Sequence, residues 1–287
     1  MQKASYINER GQSIHFDIAP PFILQSIEGT GNVSVNLNTY STPNHDGKYI
    51  KDSKLNMRHV VLRTTIKARN NKQLFEYREF ISSIFNPKLK GTLEYKTPNG
   101  TKKINAVIEE TPLFSEYKGD TVVCLINLLC PDPYWYDLHE KHYTFYTPVT
   151  PAFSFPLNTK SNEYFSLGYE STTTKVVNNG HVQTPLFLKV EGGVKNIFLE
   201  NLTTGEFIRI NKKINSTDTL VINTADGQKE VSLIKEDGKK SNAIGMMSLD
   251  SSFLYLDIGE NVLKYTAESD SGSATLHLQW NHKYLGV

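Results

Sequence analysis

His139, Glu140, Lys141 and His142 form the cluster in this sequence that looks most like a metal site. A zincin needs histidines four apart on a helix, with glutamate directly after the first. Here the spacing is three and the neighbours are aromatic β-formers, so the stretch reads as a solvated linker. Glu109-Glu110 would supply half of a glycosidase pair, but adjacent strand residues point to opposite faces. There is no G-x-S-x-G elbow and no G-x-x-x-x-G-K-[ST] phosphate loop. Cys124 and Cys130 lie in an apolar run that favours the neutral thiol. On one extended strand they stand roughly 20 Å apart, beyond disulfide reach, and they read as buried thiols of a protein made in a reducing cytoplasm. These residues assemble no catalytic, cofactor or metal site, and the sequence reads as non-enzymatic.

Composition narrows the partners. The 287 residues suffice for two domains, and the formal net charge is +1, with 31 basic against 30 acidic residues. A dedicated nucleic-acid binder carries a basic footprint that is absent here. No run approaches the roughly 18 apolar residues of a membrane span. The opening MQKASYINERGQSIHF lacks an apolar signal core, so Sec export is not expected.

The elements that would position these residues hinge on Val122 to Tyr136. Val122–Leu129 reads as a strand buried on both faces. Pro131 and Pro133 then hold Cys130 and Asp132 extended, and Tyr134, Trp135 and Tyr136 follow at once. A strand running into a stiff aromatic strap suits a domain joint made by Pro131, Asp132, Pro133, Tyr134 and Trp135; a core strand with its exit loop fits the same residues. The expected division is 1–138 and 139–287.

Upstream, Phe22–Ile27, Val33–Leu37 and Arg58–Lys67 read as strands. A helix is predicted from about Lys72 to Phe85, capped by Asn70 or Asn71 and stopped at Asn86-Pro87. Its 100° turn puts Leu74, Tyr77, Phe80, Ile81, Ile84 and Phe85 in one stripe. Phe75 falls off that stripe; it packs on its own domain or is reserved for a partner, as a candidate subunit interface. A hairpin follows, Gly91–Lys96 and Thr101–Glu109 around Asn99-Gly100. Beyond Tyr136 no helix is predicted. Short alternating runs separated by turn residues give the pattern of a β-sandwich, clearest at Thr275–Trp280 with Leu276, Leu278 and Trp280 inward. The fold class is mainly β: an N-terminal α+β domain followed by a C-terminal β-sandwich.

Several stretches, in order, resemble the distal tail proteins, or siphovirus-type tail components, of long non-contractile-tailed bacteriophages. They are Arg58–Leu62 with Thr64–Lys67, LFEYREFISSIFNP at Leu74–Pro87, Gly91–Tyr95 and CPDPYW at Cys130–Trp135. In the second half, Asn178–Phe187, Gly259–Ala267 and Tyr284–Val287 are similar too. The resemblance implies a virion structural protein of the tail tip, made in the host bacterial cytoplasm. Its first domain would form a hexameric ring and its second a galectin- or jelly-roll-type sandwich. The expected partners are the tail tube protein, a tail-associated hub or lysin protein and a receptor-binding protein, with no cofactor, no membrane and no sequence-specific nucleic acid. The competing reading is a non-catalytic carbohydrate-binding β-sandwich protein.

Overall fold

In the computed structural model, which describes residues 2–43, 46–115, 119–147, 172–269 and 274–287, the chain separates into two compact units. One is Met1–Leu138 with Lys283–Val287; the other is His139–His282. The 139–287 range read from the sequence therefore ends too late, because Lys283 and Tyr284 pair with Tyr136 and Trp135 in the first unit.

The first unit contains β1 (Lys3–Asn8), β2 (Ser13–Phe16), β3 (Phe22–Glu28), β4 (Val35–Tyr40), β5 (Tyr49–Leu55) and β6 (Arg58–Lys67). After α1 (Asn71–Ile84) come β7 (Lys90–Thr97), β8 (Gly100–Ile108), β9 (Leu113–Phe114), β10 (Thr121–Cys130) and β11 (Trp135–Asp137). The main sheet runs β2-β1-β7-β8-β10-β6-β3. A bridge between Asp17 and Ile23 brings β3 back beside the end of β2, so the strands wrap around a common core.

β10 is the spine, paired with β6 over ten positions from Thr121↔Lys67 to Cys130↔Arg58. Its burial alternates: Val122, Cys124, Ile126, Leu128 and Cys130 are buried, while Val123, Leu125, Asn127 and Leu129 are half-buried. The expected burial on both faces is thus corrected to one. Apolar residues on the second face are tolerated because partial cover still removes some of their surface from water.

Asn70 caps α1 by accepting from the Gln73 N–H at 2.9 Å. Leu74, Ile81, Ile84 and Phe85 enter the core as predicted, and Phe85 stacks on Tyr6 at 4.6 Å. Phe80 does not: it stays exposed, its ring stacked at 6.1 Å on Phe22. The strands β1, β2 and β5 lie outside the sequence-based expectations. β1 matters most, since it pairs with β7 from Lys3↔Lys96 to Asn8↔Gly91 and removes the free edge that the β7–β8 hairpin would otherwise offer. The β4–β5 hairpin stands as a separate two-stranded sheet, with an irregularity between Asn38 and Thr39. Between its strands lies Thr42–Lys48 (TPNHDGK), whose turn residues predict a loop; of these, Asn44 and His45 lie outside the described residues.

The second unit is an antiparallel sandwich. It comprises β12 (Lys141–Tyr146), β13 (Thr172–Asn178), β14 (Thr184–Pro185), β15 (Phe187–Glu191), β16 (Val194–Asn201) and β17 (Glu206–Ile210). These are followed by β18 (Thr219–Asn223), β19 (Glu230–Ile234), β20 (Lys240–Asn242), β21 (Tyr255–Leu256), β22 (Gly259–Ser269) and β23 (Thr275–Trp280). One sheet has the order β12-β23-β15-β18-β19-β20 and the other β13-β22-β16-β17. Alternation puts Leu188, Val190, Leu220, Ile222, Leu276 and Leu278 of the first against Ile197, Leu199, Ile208, Ile210, Leu263 and Tyr265 of the second. The final strand, β24 (Lys283–Tyr284), belongs to the first unit.

Candidate functional site

The residues that looked chemical are dispersed. His139, Glu140 and His142 are exposed at the start of β12. Among the described residues no three His, Cys, Asp or Glu side chains converge as a metal-binding set, and no helix is long and apolar enough to cross a membrane. Glu109 and Glu110 lie just past the end of β8, where strand alternation no longer applies. Glu109 pairs with His59 at 3.1 Å, and Glu110 accepts from the Asn127 amide at 3.3 Å. Each is held by its own neighbour, so the two do not act as a pair. Burial pushes both the Cys124 and Cys130 thiols up to about 12, which leaves them protonated and unreactive at neutral pH. Trp280 is 8% exposed in the sandwich core and offers no open platform for a sugar ring.

What the first unit does assemble is a strap and two apolar surfaces. In the strap, Asp132 accepts from the Tyr134 N–H at 3.2 Å and from the Tyr136 hydroxyl at 2.5 Å. Burial, then the bond to Asp132, raises the Tyr136 pKa and keeps that phenol a donor. Pro131 is exposed, whereas Pro133 presents its carbonyl to the Arg58 Nε–H at 2.7 Å. Tyr134 lies half-buried beneath the Lys283 ammonium, 5.2 Å from the ring centre. Trp135 is 0% exposed, sits in the first unit's core and tilts against Tyr95 at 6.1 Å.

Sequence reasoning missed the centre of this arrangement. Arg58 is 1% exposed, and its guanidinium donates only to backbone carbonyls: Pro133, Gly29 at 2.6 Å, Asn32 at 3.2 Å and Leu285 at 2.5 Å. Burial pulls its pKa down from the ordinary arginine value, and the four acceptors supply the solvation that water no longer gives. The one signal in the sequence is an arginine at the head of an alternating strand on the buried phase, in register with Val60, Leu62 and Thr64.

The first apolar surface surrounds Phe75, which is 49% exposed. The Arg78 guanidinium lies 5.1 Å from its ring and 4.7 Å from that of Phe114, so it bridges helix and sheet. Exposed Leu113 precedes Phe114 on this side; exposed Phe80, about 140° further round α1, belongs to another face, over Phe22. The second surface is the β4–β5 hairpin, where Val35, Leu37, Tyr40, Tyr49 and Ile50 are all exposed. Cross-strand register puts Val35, Leu37 and Ile50 on one face of it, while Tyr40 and Tyr49 stack at 5.4 Å on the other.

The first unit is a strand-wrapped domain with two unlike apolar surfaces, and the second is a sandwich. Comparison with known families gives the class. Residues 9–130 match the phage tail protein RIFT-related domain, and residues 179–284 match the siphovirus-type tail component C-terminal domain. The chain belongs to the siphovirus-type tail components, the distal tail proteins, with both family domains in order.

Two solved structures share the fold along the whole chain. The Dit protein of phage SPP1, described as a paradigm of the hub adsorption apparatus in phages infecting Gram-positive hosts, is 14% identical. The match covers 98% of each chain with a TM-score of 0.66. A chain of the phage P2 baseplate, in its activated conformation with calcium, is 13% identical over 100% of this chain and 99% of that one, with a TM-score of 0.52. No curated protein sequence matches at a significant level.

Proposed function

We propose that this chain forms the hub ring of a phage tail tip, a non-catalytic adaptor between the tail tube above and the tail-associated and receptor-binding proteins below. The observation that carries the reading is the pair of unlike apolar surfaces on the first unit. A head-to-tail contact that closes on rotation uses two different patches of each subunit, here the β4–β5 hairpin of one copy and the Phe75 side of α1 on the next. A two-stranded hairpin alone is marginal in water, and a neighbouring subunit supplies the cover it lacks. Six subunits follow from the family resemblance.

In this reading residues 1–138 carry the ring, the Pro131–Trp135 strap is the joint to the sandwich, and the sandwich is the part that meets adhesion proteins. The genome passes through the ring without its sequence being read, in keeping with a net charge of +1. The chain needs no metal or cofactor for this role and acts from the virion.

Light scattering on the full chain tests the proposal. The expected mass is about six times the 32.5 kDa of the monomer, alone or on addition of the tail tube protein. A chain that stays monomeric at high micromolar concentration with its tail partners present would overturn it.

A further inference from the structure

The first unit is discontinuous in sequence, and its two pieces meet at Arg58. The guanidinium joins three stretches: the Gly29–Asn32 turn, the Pro133 carbonyl at the root of β11, and the Leu285 carbonyl just beyond β24. Around it the backbones approach without side chains between them. Gly29 has φ +83°, and a Cβ there would stand 2.0 Å from the His59 carbonyl oxygen. A Cβ on Gly286 would meet the Gly31 Cα at 3.0 Å.

The 283–287 segment is tied along its length. Trp135 and Tyr136 pair with Tyr284 and Lys283. The Lys102 ammonium, itself ion-paired to Asp137, lies 3.6 Å from the Tyr284 ring centre. The Tyr284 hydroxyl donates to Asp137 at 3.3 Å, and the Val287 N–H donates to the Thr30 carbonyl at 3.2 Å. Val287 also packs on the first unit's core. Until this segment arrives, one Arg58 donor is buried without an acceptor and β11 lacks a partner along one edge, and both losses cost far more than an exposed contact.

We propose that residues 283–287 are a folding clasp, which completes the first unit only after the whole second unit has been synthesised. The clasp makes ring assembly conditional on synthesis through residues 283–287. A nascent or truncated product with the ring-forming residues but no sandwich is held in an unfinished state and does not enter a ring as a defective subunit. The ring consequence rests on the function proposed above; the clasp itself does not.

Hydrogen exchange and light scattering test it on the full chain, a chain ending at His282, and full-length Gly286→Val, which displaces the segment without removing it, with full-length Arg58→Met as a fourth protein. In both segment variants, exchange at residues 29–32 and 133–137 should quicken by about tenfold or more. Strand β18 should keep its full-chain protection, and assembly should fall. Full-length Arg58→Met should reproduce the local loosening with the segment still present. Unchanged exchange at residues 29–32 and 133–137 in the chain ending at His282 overturns the clasp, as does equal loss of protection in β18, which would mean general misfolding. Should the full chain form no ring, the ring reading fails, and exchange alone still decides the clasp.

Discussion

A buried arginine without a carboxylate partner is the most consequential single residue in this chain. Truncating it strands four backbone acceptors in a dry site. Arg58→Ala should therefore cost about 3–5 kcal/mol, read as a lower denaturant midpoint for the first unit with the sandwich transition unmoved. Trp135→Ala removes the indole from the same core and should cost a similar amount, about 3–5 kcal/mol. An unchanged midpoint in either variant would contradict the burial described. The two thiols give a pH test. Folded, they hold their protons to about 12, against an ordinary value of 9.0. Between those values the native state holds more protons than the unfolded one, so this contribution is complete below pH 9 and is lost as pH rises towards 12. The expected outcome is no alkylation of the native protein at pH 8, two alkylated cysteines after denaturation, and a stability that declines above pH 9.

Among the elements, α1 and the β4–β5 hairpin carry surface that their own unit leaves half uncovered. A charge at either place should leave the monomer intact and weaken only association, because an exposed substitution seldom moves stability by more than about 0.5 kcal/mol. Phe75→Glu and Ile50→Asp are the matched pair; Ile50 is 64% exposed. Both variants should melt with the parent protein and run at lower mass in light scattering. Loss of fold instead of mass would show that these side chains serve their own subunit. The β7–β8 hairpin offers no such surface, since β1 on one side and β10 with β11 on the other take up its backbone groups.

At the scale of the whole molecule, the balance of charge is what sets the expected behaviour. With 31 basic and 30 acidic residues and assembly surfaces built from aromatic and aliphatic side chains, association should change little between about 0.05 and 0.5 M salt, where exposed ion pairs are screened. Sedimentation across that range is the measurement, and a ring that dissociates as salt rises would point to charged contacts in place of apolar ones.

Some of this protein follows from its sequence alone. Period-2 alternation marks Arg58–Lys67 and Thr275–Trp280, because a strand with one wet face must place apolar side chains at every second position. Asn70, the following helical stripe and Asn86-Pro87 mark α1 for equally local reasons. Other features were decided by residues far apart in the chain. β4 looks like an ordinary strand and β5 gives no strand signal of its own, yet the exposure of both depends on what the rest of the unit leaves uncovered. β10 reads as buried on both faces, and only the sheet's real cover shows one. Arg58 falls on the buried phase of its strand, but what satisfies it is decided only when Gly29, Pro133 and Leu285, separated by up to 227 positions from it, are brought around its guanidinium. The return of 283–287 to the first unit has the same origin: a short segment has no strong preference of its own, and its place is set by the backbone carbonyls and strand edge that tertiary folding alone presents.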